Sequence, residues 1–295
     1  MNRRVGAVLA ALLLTACQTQ GPRPATPSTA NSEAILSGIA ASLPGLYLHP
    51  LRPEETHGAL FLDITSNRVS PTELVLDLRQ FQDQASERRF RLVLNRAEAL
   101  DWLPARFMPI HADGSMAGRE CSMRFRLSTQ GLIGQTDPDD CRFDSGAQSV
   151  GLLKEMNFDG ETVNIADQIF DQQGQAAAAP QLLQFQRAGR FTGTAAVREG
   201  GTAWRVAESL QVLPNQSLIE PLDAAGMSLG ILINLQLIDE SGREGPILNL
   251  QISALDSGEL LGQTWANPAT QLIGLGLPDL RVELNRQSVE RGSDL

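Results

Sequence analysis

Short segments in which apolar and polar residues alternate recur along most of this chain, and they limit its fold more than any other feature. In the segment CSMRFRL (121–127), Met123 and Phe125 lie on one face and the arginines lie on the other. This period of two predicts half-buried strands, and the Gly, Pro and Asp residues between segments predict turns. Successive antiparallel strands of this spacing predict an all-β fold, either a barrel or a sandwich.

The predicted strands fall into two sets, which we interpret as two domains. A short predicted helix, Glu33–Leu43, precedes the first set. The stretch 190–201, rich in Gly and Thr, separates the sets. We therefore expect a first domain at 33–192, a small separate β-sandwich at 193–287, and a polar tail at 288–295. No internal repeat is evident. The predicted strands are Ala59–Ile64, Glu73–Gln82, Arg89–Asn95, Cys121–Leu127, Leu132–Thr136, Gln148–Phe158, Thr162–Phe170, Leu182–Arg187, Trp204–Leu213, Ser228–Ile238, Ile247–Leu255, Leu260–Trp265 and Leu280–Asn285.

The N-terminal residues MNRRVGAVLAALLLTAC have the order of a secretory leader. Two arginines precede an apolar run, Val5–Leu14, which is too short to span a bilayer as a mature helix. The residues Leu14-Thr15-Ala16-Cys17 resemble the lipobox of bacterial lipoproteins, in which the cysteine is acylated and becomes the N-terminus. We expect residues 1–17 to be a lipoprotein signal peptide with Cys17 as the lipidated residue. The alternative is an ordinary signal peptide that holds a cysteine.

The residues after Cys17 indicate how the protein is anchored. Gln18 stands where an aspartate would retain a lipoprotein at the inner membrane, so this resemblance implies a lipid-anchored outer-membrane protein that faces the periplasm or the cell surface. Residues 18–32 are rich in Pro, Thr and Ser without an apolar period, which predicts a disordered tether. No later stretch is apolar enough to span a bilayer, so the predicted contact with the membrane is the lipid anchor.

Cys121 and Cys141 are the two cysteines that remain if Cys17 is lipidated. Disulfides persist outside the cytoplasm, and two cysteines suffice for one bridge. The strands between them form a predicted hairpin about Gly131, which brings Cys121 close to Cys141 if the intervening loop curls back. This favours a Cys121–Cys141 disulfide, with two reduced, buried cysteines as the alternative. A metal site would need further ligands, which no CxxC motif or nearby His pair supplies.

Charge and motifs argue against several functions. The formal net charge of −10 argues against nucleic acid as a partner. The sequence holds no nucleophile elbow, P-loop, HExxH or EF-hand motif, and it predicts no cofactor, no metal and no identifiable catalytic residue. We interpret His49, His57 and His111 as solvent-facing. The basic run Arg88-Arg89-Phe90-Arg91 is either an anion clamp or the solvated face of a strand.

Three blocks of residues point to a family. The first is Cys-x-Met-x-Phe, a turn, Gly-x-Thr and a second cysteine, from Cys121 to Cys141. The second is Gln80, followed at a matching distance by Phe90-Arg91. The third is Asp167, Asp171 and Gly174. Together these blocks resemble the CpeT/CpcT family of bilin chromophore lyases over residues 35–190.

The resemblance implies a calycin- or lipocalin-like antiparallel β-barrel that holds one small ligand. In that family the barrel delivers a linear tetrapyrrole to a cysteine of an antenna protein in the cytoplasm. This sequence departs from the family pattern: Arg79 replaces an acidic residue, Gln168 and Ile169 replace Arg-Gly, and Ala178 replaces a tryptophan. Because of these departures and the exported leader, we expect ligand binding without the lyase reaction.

The ligand-binding residues that the resemblance implies are Arg91, Gln80, Phe90, Asp167 and Asp171. Arg91 is the expected anion-binding group, whereas Asp171, followed by Gln-Gln-Gly, also fits a turn. The sequence therefore predicts an envelope lipoprotein whose barrel binds a small amphipathic molecule, such as a tetrapyrrole. The alternative is a non-catalytic structural or protein-interaction lipoprotein, with an envelope protein as the partner of the C-terminal domain.

Overall fold

The structure, a computed structural model, describes residues 29–52, 58–82, 86–96, 102–128, 131–145, 148–198, 200, 203–240 and 244–287. No helix among these residues is long and apolar enough to cross a membrane. The elements are α1 (Thr29–Ser42), β1 (Gly45–Leu48), β2 (Leu60–Ser70), β3 (Glu73–Gln82), β4 (Ser86–Asn95), β5 (Leu103–Ile110), β6 (Cys121–Ser128), β7 (Gly131–Thr136), β8 (Arg142–Ser145), β9 (Gln148–Phe158), β10 (Thr162–Phe170), β11 (Gln181–Arg187), β12 (Phe191–Arg198), β13 (Trp204–Val212), β14 (Ile231–Ile238), β15 (Ile247–Ala254), β16 (Leu260–Ala266), β17 (Leu272–Leu277) and β18 (Leu280–Arg286).

The first part of the chain is a closed antiparallel barrel of 10 strands. Strands β1 to β7 pair in sequence order, β9 and β10 follow, and β11 returns to β1. The short strand β8 pairs only with β9 and lies outside the barrel. The predicted all-β fold, a barrel followed by smaller sheets, is confirmed, although lipocalin barrels have about 8 strands.

Alternation along each strand places one row of side chains inside the barrel. On β3, Leu74, Leu76 and Leu78 are buried in the interior, which we call the lumen. The intervening residues of β3 point outward, as a period of two requires. Leucine, phenylalanine and methionine side chains from the other strands fill the rest of the lumen, so the core of the barrel is packed rather than open.

Helix α1 closes one end of the barrel. Leu36, Ile39 and Leu43 are buried in the same cluster as Leu74 and Leu76, which lie in the first half of β3. The predicted apolar stripe of this helix is therefore its packing face.

The helix begins earlier than the sequence pattern predicts. It starts at Thr29 instead of Glu33, so residues 29–32 belong to the helix and not to the predicted disordered tether. The last proline before the helix is Pro27. Residues 28–32 contain neither Gly nor Pro, so nothing in this segment prevents the helix from extending back to Thr29.

Arg187, at the end of β11, fixes this end of the barrel. Its guanidinium donates hydrogen bonds to the carbonyl oxygens of Ser42 and Pro44 and to the hydroxyl of Tyr47. Tyr47 is fully buried, and its hydroxyl donates to the carbonyl oxygen of Leu43 at 2.6 Å. Burial raises the pKa of Tyr47 above its ordinary value, and the positive charge of Arg187 only partly offsets this effect.

Two further sheets follow the barrel. Strands β13, β12, β18 and β17 form one sheet in that order, and β14, β15 and β16 form the other. Residues from both sheets bury their apolar side chains in one cluster. The last barrel strand ends at Arg187 and β12 begins at Phe191, close to the predicted domain boundary.

The core of these two sheets also includes residues of the barrel, a contact that the sequence pattern does not predict. The cluster includes Leu48, Ala59 and Phe61, which point away from the lumen. Backbone hydrogen bonds from Leu51 to Leu237 (2.9 Å) and from Asp239 to Leu51 (2.8 Å) join the same regions. Apolar residues on the outward side of the first barrel strands are the physical reason, since they need a cover.

The Cys121–Cys141 disulfide is confirmed. Its two cysteines are buried, with their Cα atoms 4.7 Å apart. The predicted hairpin is β6 and β7, and the chain then turns so that the N–H of Cys141 donates to the carbonyl oxygen of Asp137 at 2.8 Å. The loop after β7 is therefore curled back and bonded to the first residue of β6.

Strand β5 is a barrel strand that the sequence pattern does not predict. Leu103, Ala105 and Phe107 alternate into the lumen, as in the other strands. Pro104 and Pro109 interrupt the segment, and proline is rare inside sheets because it lacks a backbone N–H. Here the cross-strand partners of these prolines are Arg124 on β6 and Phe90 on β4, respectively.

One turn occurs three times, although no internal repeat is evident in the sequence. The first residue of the turn is Asp or His, and its N–H donates to the carbonyl oxygen of the fifth residue. The fourth residue is a glycine with φ near +80°, and its N–H donates to the carbonyl oxygen of the first residue. Only the glycine is identical in all three copies, which hides the repeat in the sequence. The copies are His111–Gly114, Asp171–Gly174 and Asp223–Gly226.

Candidate functional site

The end of the barrel opposite α1, which we call the mouth, has a polar lining. The mouth consists of Gln80, Arg88, Lys154, Asp167 and Gln181, from β3, β4, β9, β10 and β11. Beneath them the wall is apolar. The cavity has a volume of ≈ 30 Å³, enough for about two water molecules at roughly 10–15 Å³ each. The apolar lining residues are Leu62, Leu78, Phe90, Leu92, Phe107, Met123, Met156, Ile165 and Leu183.

Lys154 is the only lysine of the chain, and its side chain is only 9% exposed. Its ammonium lies 2.5 Å from Oδ1 of Asp167. It also lies 5.5 Å from the ring centroid of Phe90 and 5.2 Å from that of Phe107. A buried ammonium needs compensation for its lost hydration, and here one carboxylate and two ring faces supply it.

The sheet register fixes the position of this lysine. Lys154 lies directly opposite Asp167 on β10 and shares the inward face of β9 with Met156. The pairing of β7 with β9 ends at Glu155, and Lys154 is the next residue of β9 towards the mouth. Beyond that point the buried hydroxyl of Thr136 accepts from the N–H of Lys154 at 2.8 Å and donates to the carbonyl oxygen of Leu152 at 2.8 Å.

Three polar side chains of the mouth have unused hydrogen-bonding groups. The side chains of Gln80, Arg88 and Gln181 form no hydrogen bond or ion pair with any other residue that the structure describes. An anion that enters the mouth would meet Arg88 and Lys154 as charged donors and the two amides as neutral donors. The mouth can therefore bind an acidic group, and its apolar wall can accept a short apolar chain next to that group.

Three of the five predicted ligand-binding residues lie together in this region. Gln80, Phe90 and Asp167 all line the cavity, although Asp167 on β10 is far in sequence from the other two, which lie on the neighbouring strands β3 and β4. The sequence resemblance thus selects residues that the fold brings to one place. Cys17, the predicted lipidation site, lies outside the described residues.

Arg91, the predicted anion-binding residue, does not point into the mouth. It follows the inward-facing Phe90 on β4, so it points outward. Its guanidinium forms a bidentate pair with Asp77, with Nε–Oδ1 2.7 Å and a second contact of 3.1 Å to Oδ2. The hydrogen bonds that Arg91 donates to Asp77 raise the pKa of Arg91 above its ordinary value. Arg91 therefore lies on the outer wall and does not line the cavity at the mouth, and its role in ligand binding stays a prediction.

Asp171 also lies outside the cavity, as the first residue of the repeated turn. Its Oδ1 accepts from the N–H of Gln173 at 2.9 Å and from the N–H of Gln175 at 2.8 Å. These bonds use the carboxylate to hold the loop between β10 and β11. The turn alternative for this residue therefore describes its contacts better than the ligand-binding prediction.

Lys154 and Gln181 are mouth residues that sequence reasoning does not select, and Arg88 enters it only as part of the basic run at 88–91. A signal for Lys154 is present: it falls on the apolar side of an alternating strand, two residues before Met156. A lone lysine at an inward position is unexpected in a packed core, which makes it a candidate site residue. Gln181 gives no such signal, and neither residue can be placed beside Lys154 from the sequence, because only the closed sheet brings them there.

Among the described residues, no group of three or more His, Cys, Asp or Glu side chains could hold a metal ion. Comparison with known proteins gives no family either: no protein-family model and no curated protein sequence matches this chain.

Proposed function

We propose that the barrel is a binding module for a small amphipathic molecule with an acidic head, which is held at the mouth. The supporting observation is Lys154, an ammonium inside the lumen that has one carboxylate partner and lies beside the unpaired Arg88. An ion pair inside a protein is often no more stabilising than apolar packing. A site that keeps charges in its core is therefore better explained by binding than by stability.

The size of the cavity limits the ligand. Its ≈ 30 Å³ is far below the roughly 300–1,000 Å³ of sites that enclose drug-sized molecules. An acidic head fits between Arg88 and Lys154, whereas a tail requires side chains to move. Met123 and Met156 line the lumen, and methionine adapts its shape more easily than other apolar residues. A tetrapyrrole, which the family resemblance implies, would insert one propionate and keep its rings at the rim.

The single lysine allows a direct test. Acetylation of Lys154 by an amine-reactive ester is measured by mass spectrometry of its peptide, with and without decanoate or biliverdin. A ligand head at the mouth should slow the acetylation of Lys154 in proportion to occupancy. Protection by biliverdin would favour the tetrapyrrole, and protection by decanoate alone would favour a fatty-acid carrier. Unchanged acetylation with both compounds would contradict the proposal.

Binding measured by calorimetry on variants gives a second test. Lys154→Met should weaken binding of the protecting acid by roughly ten- to a hundredfold, because a charge-assisted hydrogen bond contributes about 1.5–3 kcal/mol. Arg88→Gln should weaken it by a smaller factor, because this side chain is exposed. Arg91→Ala is the matched control: it removes an arginine from the outer wall of the same strand and should leave affinity unchanged.

A structural role is the second candidate, and the packed lumen favours it. Because apolar side chains fill the barrel and its outer wall shares a core with the following sheets, the whole described unit can act as a rigid spacer in the envelope. This role predicts that neither acid changes the acetylation of Lys154 and that Lys154→Met has no binding phenotype.

We also propose that the protein is a lipoprotein of the outer membrane, anchored through Cys17, on the support of the leader and lipobox pattern. Cys17→Ala should release the protein from membranes or leave an uncleaved precursor. Metabolic labelling with a fatty-acid analogue should label the wild type and not the variant. An unlabelled wild type would overturn the anchor.

A further inference from the structure

One face of the three-stranded sheet β14–β15–β16 carries no charged side chain. The residues that alternate away from the core are all neutral, in a chain in which 20% of residues are charged. A neutral outer face on an acidic protein therefore calls for an explanation in terms of what contacts it. These residues are Leu232, Asn234, Gln236, Ile238, Ile247, Asn249, Gln251, Ser253, Leu261, Gln263 and Trp265.

The amides on this face are aligned across the strands. Gln251 lies between Asn234 and Gln263, and in the next row Asn249 lies between Gln236 and Trp265. Side chains at directly opposite positions have Cβ atoms about 4.5–5.5 Å apart. We call these six residues the amide face. None of its amide groups forms a hydrogen bond with another residue in the part of the chain that the structure describes.

Asn249 is the central residue of the amide face and is only 1% exposed. Its Oδ1 is buried and has no hydrogen-bond partner among the described residues. Trp265, its neighbour on β16, keeps 40% of its surface exposed. The face therefore combines an exposed indole with an unsatisfied buried acceptor and a row of unused amides.

We propose that the amide face binds a glycan chain of uncharged sugars. A primary amide offers two donors and one acceptor, which matches the mixed donors and acceptors of neighbouring sugar hydroxyls. An exposed indole offers an apolar face for the C–H side of a sugar ring. The absence of charge fits a neutral partner, because charged polymers gain most from complementary charge. This proposal is independent of the ligand at the barrel mouth.

The experiment uses Trp265 as the only fluorophore. The chain has 3 tryptophans, so Trp102→Phe and Trp204→Phe together leave Trp265 alone. Its emission is followed during titration with chitotetraose and, separately, maltotetraose. Saturable quenching or a blue shift with either sugar is expected. Gln251→Leu in the same background should weaken binding about tenfold, because a lost hydrogen bond that leaves its partner unsatisfied costs about 1–3 kcal/mol.

Gln211→Leu is the matched control, because Gln211 is exposed on the other sheet of the same unit. It should leave the affinity unchanged. If the double tryptophan variant does not fold, calorimetric titration of the wild type against Gln251→Leu replaces the fluorescence. No signal with either sugar, equal affinity in Gln251→Leu, or binding only of the polyanion dextran sulfate would overturn the proposal.

Discussion

The two ends of the barrel each hold a cation beside aromatic rings, but the two cations differ in how many partners they have. Arg187, at the α1 end, donates to three backbone carbonyl oxygens and to the hydroxyl of Tyr47, and it lies 4.7 Å from the ring centroid of Tyr47. Lys154, at the mouth, has one carboxylate for three N–H donors. A cation whose N–H donors bond to the protein stabilises the fold. A cation that keeps N–H donors without an acceptor can bind a ligand.

The largest expected effect concerns the Cys121–Cys141 disulfide. Replacing both Cys121 and Cys141 by alanine should lower the free energy of unfolding by about 3 kcal/mol, because the bond closes a loop of intermediate length. Urea unfolding with and without reductant measures this loss. The double variant itself should not respond to reductant. If reduction leaves the urea midpoint of the wild type unchanged, the disulfide does not stabilise the fold in solution.

The next largest effect tests whether Arg187 stabilises the α1 end of the barrel. Arg187→Met should lower the free energy of unfolding by about 2–3 kcal/mol, because the carbonyl oxygens of Ser42 and Pro44 lose their donor. Arg124→Met, on the exposed face of β6, is the control and should change the free energy of unfolding by less than about 0.5 kcal/mol. Equal urea midpoints for both variants would show that the contacts of Arg187 do not stabilise the fold.

A pH titration tests the same end through Tyr47, the only tyrosine. Because burial raises its pKa, its contribution to stability is fully present below the unfolded pKa of about 10 and is lost as pH rises above that value. Tyrosinate absorbance should therefore appear together with loss of the β-sheet circular dichroism signal. Tyr47→Phe removes the absorbance and serves as the control. Ionisation near pH 10 in a protein that is still folded would mean that this end is open to water.

The smallest expected effect on stability is at Lys154. Lys154→Met should change the free energy of unfolding by less than about 1 kcal/mol, since the Asp167 carboxylate that it leaves is one-third exposed and can stay hydrated. The comparison with Arg187→Met in the same urea experiment decides the point. A loss of unfolding free energy as large as that of Arg187→Met would mean that Lys154 stabilises the fold as Arg187 does. It would remove the contrast between the two ends.

Periodicity predicts most of this fold, and it fails where local chemistry hides the period. Strands β3, β9 and β10 have the bounds that the pattern predicts, because turn residues such as Asp159-Gly160 and Asp171 mark where their alternation ends. Strand β5 is missed because two prolines interrupt it. Strand β17 is missed because Gly274 and Gly276 occupy its outward positions, which leaves no polar residue to mark the alternation.

The candidate site shows a different limit. Gln80, Phe90 and Asp167 come from the family resemblance, yet the same resemblance selects Arg91, which alternation places on the outer wall. Counting one residue from the apolar Phe90 would have shown this. The approach of Arg88 and Gln181 to Lys154 depends on barrel closure, a contact between distant strands that no local pattern contains.

The pairing of β1 with β11 has a consequence for the folding rate. Tyr47 and Arg187 are directly paired and lie 140 positions apart in the sequence. Contacts between such distant residues form slowly, because the entropy of closing the intervening loop is lost before the contact stabilises anything. No N-terminal fragment that stops before β11 can close the barrel, and such a fragment exposes a strand edge along β1. We expect closure to be the late, rate-limiting step, which leaves the newly made chain open to aggregation until residue 187 is available.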